Sequence, residues 1–136
     1  MAQDVSYLWR HLNAPVIAAI HGKCFGGGLQ IALGADIRIA TPDASLSIME
    51  GKLGLIPDMS ASITLRELVR IDVAKELTFT GRLVTGEEAA KLGLITHCAT
   101  DPLMKATNLA QEIVARFVVT LPSHVIFITQ ISLTLI

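Results

Sequence analysis

The sequence predicts an α/β domain of short strands, each near a helix. Three observations carry this. Residues 16–20, "VIAAI", form a short uninterrupted apolar run, and residues 36–40 and 45–48, in "DIRIA" and "SLSIM", alternate polar and apolar. Each of these segments lies close to a stretch with helical periodicity. The three strands are expected to be neighbours in one sheet.

In chain order, Val5, Leu8, Trp9 and Leu12 fall at helical spacing, so residues 3–13 read as an amphipathic helix ended by Pro15. Residues 16–20 follow as a buried strand. The glycine-bearing stretch 22–26 reads as a loop, and residues 27–33 as a helix stopped at Gly34. After the strand at 36–40, "TPDA" is a turn, and 45–48 is the next strand. "EGKLGLIPD", residues 50–58, carries no period and reads as loop. Ile63, Leu65, Leu68 and Val69 mark a helical face within 60–70, and Asp72 can cap a helix reaching Phe79.

"TGEE", residues 85–88, is a capping box in which Thr85 bonds forward and Glu88 reaches back. The helix it opens ends at Gly93, and "LITHC", 94–98, is another strand. Asp101 followed by Pro102 opens a helix to Phe117 with an apolar face of Leu103, Ala106, Ala110, Ile113, Val114 and Phe117. Residues 119–136 form an atypical apolar tail, open to reading as a strand, a helix, a membrane tail or a non-native end. Pro122, His124 and Gln130 argue against the membrane reading.

Composition narrows the classes of function. With 136 residues and a net charge of −1, the chain offers no basic surface for nucleic acid. Hydrophobic residues make up 51% and charged residues only 17%, which suggests surface buried against a partner. Cys24 and Cys98 form no disulfide framework, so a cytoplasmic location is expected, and the N-terminus has no secretory pattern. His11, His21, His97 and His124 lack metal-ligand spacing, so no metal site is expected.

The densest chemical signal is "HGKCFGGGLQ", residues 21–30. It is not a dinucleotide fingerprint, because Leu29, Gln30 and Ile31 follow where a third glycine is needed. Nor is it a phosphate-binding P-loop, because Gly28 and Leu29 stand where Lys and Ser/Thr are required. Two readings remain open. A strand, a glycine turn and a helix N-terminus can present bare N–H groups to a developing oxyanion, or they can simply pack a tight turn. Glu50 and Asp58 flank a glycine-bearing loop, where they could share an acid/base pocket or be solvated or capping carboxylates. Cys24 has no base placed for it by spacing and reads as a small buried thiol rather than a nucleophile.

The run "PVIAAIHGKCFGGGLQIALGADIRIATPDASLSIMEGKLGLIPD" closely resembles the core signature of the crotonase superfamily, the enoyl-CoA hydratase/isomerase family, and "AKELTFTGRLVTGEEAAKLGLI" matches the segment that follows. The resemblance covers roughly residues 14–116 and identifies the chain as a truncated member, a partial crotonase-type spiral of ββα units with C-terminal helices over residues 1–118. It implies an acyl-CoA thioester substrate, whose coenzyme A needs no further cofactor, and an enolate held by two backbone N–H groups. Gly27 matches one donor, Phe25, Gly26 and Gly28 would line the substrate, Glu50 is the family's second catalytic glutamate, and Asp58 matches an aspartate used by dienoyl-CoA isomerases.

The sequence departs from the family in four places. Gln30 stands where two-glutamate hydratases carry their first glutamate, which points to a proton shift rather than water addition. Met59, Ser60 and Ala61 replace glycines common in the family. Family domains are about twice as long as this chain, and the missing N-terminal part would supply the other oxyanion N–H. The tail after "ARF" also departs from the family. Relatives form trimers or dimers of trimers, so a homo-oligomer is implied, with no nucleic-acid or membrane partner. For the chain alone, the expectations are weak activity, uncovered strand edges and exposed faces at 16–20 and 37–39. The alternative is a non-catalytic remnant acting through subunit association.

Overall fold

A computed structural model describes residues 4–117 and 127–133. The chain runs α1 (Asp4–Tyr7), a 3-10 turn (Leu8–His11), β1 (Val16–Phe25), α2 (Gly27–Leu33), β2 (Ile37–Ala40) and β3 (Ser45–Ser47). A second 3-10 turn (Met49–Leu53) leads to α3 (Ala61–Leu68), α4 (Ile71–Thr80), β4 (Val84–Thr85), α5 (Gly86–Leu92), β5 (His97–Cys98), α6 (Pro102–Phe117) and β6 (Phe127–Leu133). The strands form one sheet in the order β4-β3-β1-β2-β5, with β6 also pairing β1. As expected, the three strands chosen from the sequence are neighbours: β2 pairs parallel with the first half of β1 and β3 parallel with its second half.

β1 carries the architecture because both of its faces are covered. Val16, Ala18, Ile20 and Cys24 enter a core with Leu29, Leu33, Leu46, Leu65 and Leu77. The alternate residues Ile17 and Ala19 pack with Ile39, Ala106 and Ala110 under α6. A strand buried on both faces reads as a continuous apolar run rather than an alternating one. Arg38 is buried on β2, where its Nε donates to the Leu94 carbonyl at 2.8 Å. Desolvation holds this guanidinium below its ordinary pKa. Among the described residues, no helix is long and apolar enough to cross a membrane.

Several expectations need correction. Residues 22–25 are not loop: β1 continues to Phe25 because Lys23, Cys24 and Phe25 find partners in Ser45, Leu46 and Ser47. Part of 50–58 is a 3-10 turn, and of 94–98 only His97 and Cys98 are strand. The N-terminal helix does not bury the apolar face marked by its period. Val5 and Leu8 are about half exposed, whereas Ser6 is fully buried. Gly34 sets this packing, since a Cβ there would stand 2.5 Å from the Ser6 carbonyl oxygen.

On α3, Ile63 is exposed while Ala61, Thr64 and Leu65 face inward. On α6, Leu103 and Val114 are exposed, and Ala106 and Ala110 make the contact. Phe117's side chain lies outside the described residues. Asp72 does not cap α4; Arg70 is the N-cap residue, and Asp72 pairs with its guanidinium. Thr85 accepts from the Glu88 N–H as expected, but the Glu88 carboxylate pairs with Arg82. Residues 16–20 are not left uncovered: they are 0–1% exposed, and β6 runs parallel beside them. Exposed apolar side chains lie elsewhere, among them Leu53, Leu55, Ile56, Ile71 and Phe79. Of the tail whose structure the sequence left open, 127–133 is strand, and the rest lies outside the described residues.

Candidate active site

The glycine turn sits where β1 gives way to α2. The Gly26 N–H donates to the Ser47 carbonyl at 2.9 Å, and the Gly26 carbonyl accepts the Gln30 N–H at 3.0 Å. Between these two bonds the chain reverses with φ 51° and ψ −125°, a conformation that essentially only glycine adopts. Gly27 then begins α2, so its N–H has no intrahelical partner. Phe25 and Gly26 are half-buried beside it, and Gly28 is buried.

Glu50 reaches this turn from the 3-10 turn that follows β3. Two anchors hold its segment. The Ser47 hydroxyl donates to the Gly81 carbonyl at 2.8 Å, and the backbone at Gly51 lies so close to α4 that a Cβ there would be 2.7 Å from the Thr78 carbonyl oxygen. The Glu50 carboxylate is 8% exposed and lies against Gly26, its Oε1 being 3.3 Å from the place a Cβ would occupy. Oε1 accepts from the Gln30 amide at 2.5 Å, while Oε2 is buried with no hydrogen-bond partner among the described residues. Buried polar atoms without a partner are rare in folded proteins, and they cluster where a group has a chemical role. The carboxylate can exchange a proton with a group placed against the glycine turn.

The structure brings Glu50, Gly26, Gly27 and Gln30 together. Asp58 is different: it is exposed, and only its chain neighbour Met59 touches the site. Met59 seals one side, with its sulfur 3.0 Å from where a Cβ on Gly27 would stand. Its carbonyl accepts from the Ser6 hydroxyl at 2.8 Å. Neither Ser6 nor Met59 was foreseen from sequence. A groove of about 290 Å³ is lined by residues that include Ile56, Pro57, Leu65, Ala74 and Phe79. It does not include the glycine turn. Cys24 is buried and its thiol is pushed up to about 12 by desolvation, which excludes it as a nucleophile at neutral pH. Among the described residues, no group of His, Cys, Asp and Glu could hold a metal ion.

The family model for enoyl-CoA hydratase/isomerase matches residues 2–131. The chain belongs to the enoyl-CoA hydratase/isomerase family. YngF of Bacillus subtilis, which carries the same family name, is 42% identical over 117 residues, covering 85% of this chain and 45% of its own. The crystal structure of an enoyl-CoA hydratase from Thermoplasma volcanium superposes with a TM-score of 0.77 at 32% identity, covering 82% of this chain and 45% of that one. A Thermobifida fusca relative solved in complex with acetoacetyl-CoA is 36% identical with a TM-score of 0.67, over 77% of this chain and 40% of its own. The chain thus spans less than half the length of the curated relatives it matches. Its mixed α/β sheet-and-helix fold is that of its crotonase-type neighbours.

Proposed function

We propose that this chain carries the proton-transfer half of an acyl-CoA thioester site and takes part in an isomerase- or hydratase-type reaction through an enolate. The observation that carries this is the Glu50 carboxylate, buried against the Gly26 turn with Oε2 unbonded among the described residues. A thioester carbonyl lying on that turn would use the Gly27 N–H as one oxyanion donor, and glycine is required because the carbonyl must approach bare backbone. Glu50 would then take the proton from the carbon beside the carbonyl. Phe25, Gly26 and Gly28 would form the wall against which the acyl group lies. Asp58, exposed on the following loop, is at most a secondary acid/base. With Gln30 in place of a second carboxylate, the reading favours moving a proton over adding water.

Support comes from the family and from the relative that binds acetoacetyl-CoA. The test is solvent-deuterium incorporation into a short acyl-CoA. It should be followed over hours, because an oxyanion site with a single donor loses about 10²–10³ in rate. Glu50→Gln should reduce incorporation at least about 100-fold. A wild-type rate in that variant would show that the proton goes elsewhere.

A second reading, association with other subunits, has its own observation. Leu53, Leu55, Ile56 and Phe79 are 60–84% exposed, and Ile56 and Phe79 line the same groove. Mass in solution distinguishes it, since self-association through this face should be lost in Ile56→Ser together with Phe79→Ser.

A further inference from the structure

We infer that Gln30 is a positioning residue whose single amide selects which oxygen of Glu50 takes the proton and holds Met59 over the glycine turn. This rests on the reading of Glu50 as the proton carrier. Gln30 is 1% exposed on α2, between the apolar Leu29 and Ile31. A buried amide is costly unless both its ends are bonded. Here both are. The Met59 N–H donates to Gln30 Oε1 at 2.8 Å, and Gln30 Nε2 donates to Glu50 Oε1 at 2.5 Å.

The direction of these bonds follows from their chemistry. A backbone N–H can only donate, so the amide oxygen must face Met59 and the amide NH₂ must face the carboxylate. One lone pair of Glu50 Oε1 is therefore already engaged, whereas both lone pairs of Oε2 are unbonded among the described residues, so Oε2 is the more basic oxygen. When the carbon–hydrogen bond beside the thioester breaks, its electron pair passes into the carbonyl and its proton to Oε2. The carboxyl proton exchanges with solvent, and the same oxygen then delivers a proton to carbon, so solvent deuterium is incorporated and no water is consumed.

The far end of the amide acts on the substrate wall. With its N–H held by Gln30 and its carbonyl by Ser6, Met59 keeps its sulfur against Gly27. A glutamate at position 30 could still accept from the Met59 N–H. It would, however, offer Glu50 a second carboxylate in place of a donor, and two carboxylates in contact cannot both stay charged.

The test uses Gln30→Met, which fills the space with neither bond, and Gln30→Glu, which keeps only the bond to Met59. Butyryl-CoA serves as probe. Both variants should lower deuterium incorporation at its α carbon at least tenfold while its affinity stays within threefold. The Met59 amide should lose hydrogen-exchange protection in Gln30→Met and keep it in Gln30→Glu. Incorporation that Glu50→Gln abolishes but both Gln30 variants leave intact would overturn this inference alone. A fall in rate that merely tracks a fall in affinity would also overturn it, by showing a structural role only. Absence of incorporation in a wild-type protein that binds butyryl-CoA would overturn the Glu50 reading, and this inference with it.

Discussion

Replacing Gly26 with alanine tests whether the Glu50 carboxylate is really seated on the glycine turn. Two effects add. Alanine at φ 51° and ψ −125° is strained by about 1–3 kcal/mol. Its Cβ would also lie 3.3 Å from Glu50 Oε1, so the carboxylate must shift and its bond to Gln30 weakens. A hydrogen bond to a charged group contributes about 1.5–3 kcal/mol, and losing part of it brings the total to roughly 3–4 kcal/mol. Gly54 supplies the control. It also has a left-handed φ, 67°, but nothing lies within 4 Å of an added Cβ. Gly54→Ala should therefore cost only the conformational term, about 1–2 kcal/mol. Urea unfolding followed by circular dichroism and by the fluorescence of Trp9, the single tryptophan, measures both variants. In a Glu50→Ala background, Gly26→Ala should cost at least about 1 kcal/mol less than in the wild type. Equal costs for Gly26→Ala and Gly54→Ala, with no coupling to Glu50, would refute the contact on which the site is built.

Three further outcomes are expected. At pH 8, iodoacetamide should modify exposed Cys98 and spare buried Cys24 until denaturant is added, and two equivalents taken up by the folded chain would contradict the burial. Because the Cys24 thiol is raised from 9.0 to about 12 on folding, the unfolded chain loses this proton first. The folded state should therefore weaken between those pH values, by up to about 1.4 kcal/mol per pH unit, and Cys24→Ala should flatten that slope. Ser60, the N-cap residue of α3, has φ 67° and is the one non-glycine with positive φ among the described residues. Ser60→Gly should raise stability by about 1 kcal/mol in urea, and a loss would show that its side chain outweighs the strain.

The sequence by itself determined whatever depends on near neighbours in the chain. Thr85 and Asp101 were legible as caps because the groups they bond are three residues away, the Glu88 and Met104 N–H groups. The strands at 16–20, 37–40 and 45–47 were legible from period and apolarity. The motif around Gly27 and Glu50 was legible because its rare residues recur in a fixed order.

The tertiary structure decided what depends on a distant partner. β1 runs through Gly22 to Phe25 only because Ser45, Leu46 and Ser47 lie beside it, whereas local signals there spell a turn. The buried side of α1 is Ser6 rather than Val5, because Gly34 lets two backbones meet. Gln30 read as a missing base. Its role as a bridge needs Glu50, 20 residues away, and Met59, 29 residues away, and only folding brings them to its two ends. The one available warning was an amide inside an apolar helix, since a buried polar group requires partners that local sequence cannot name.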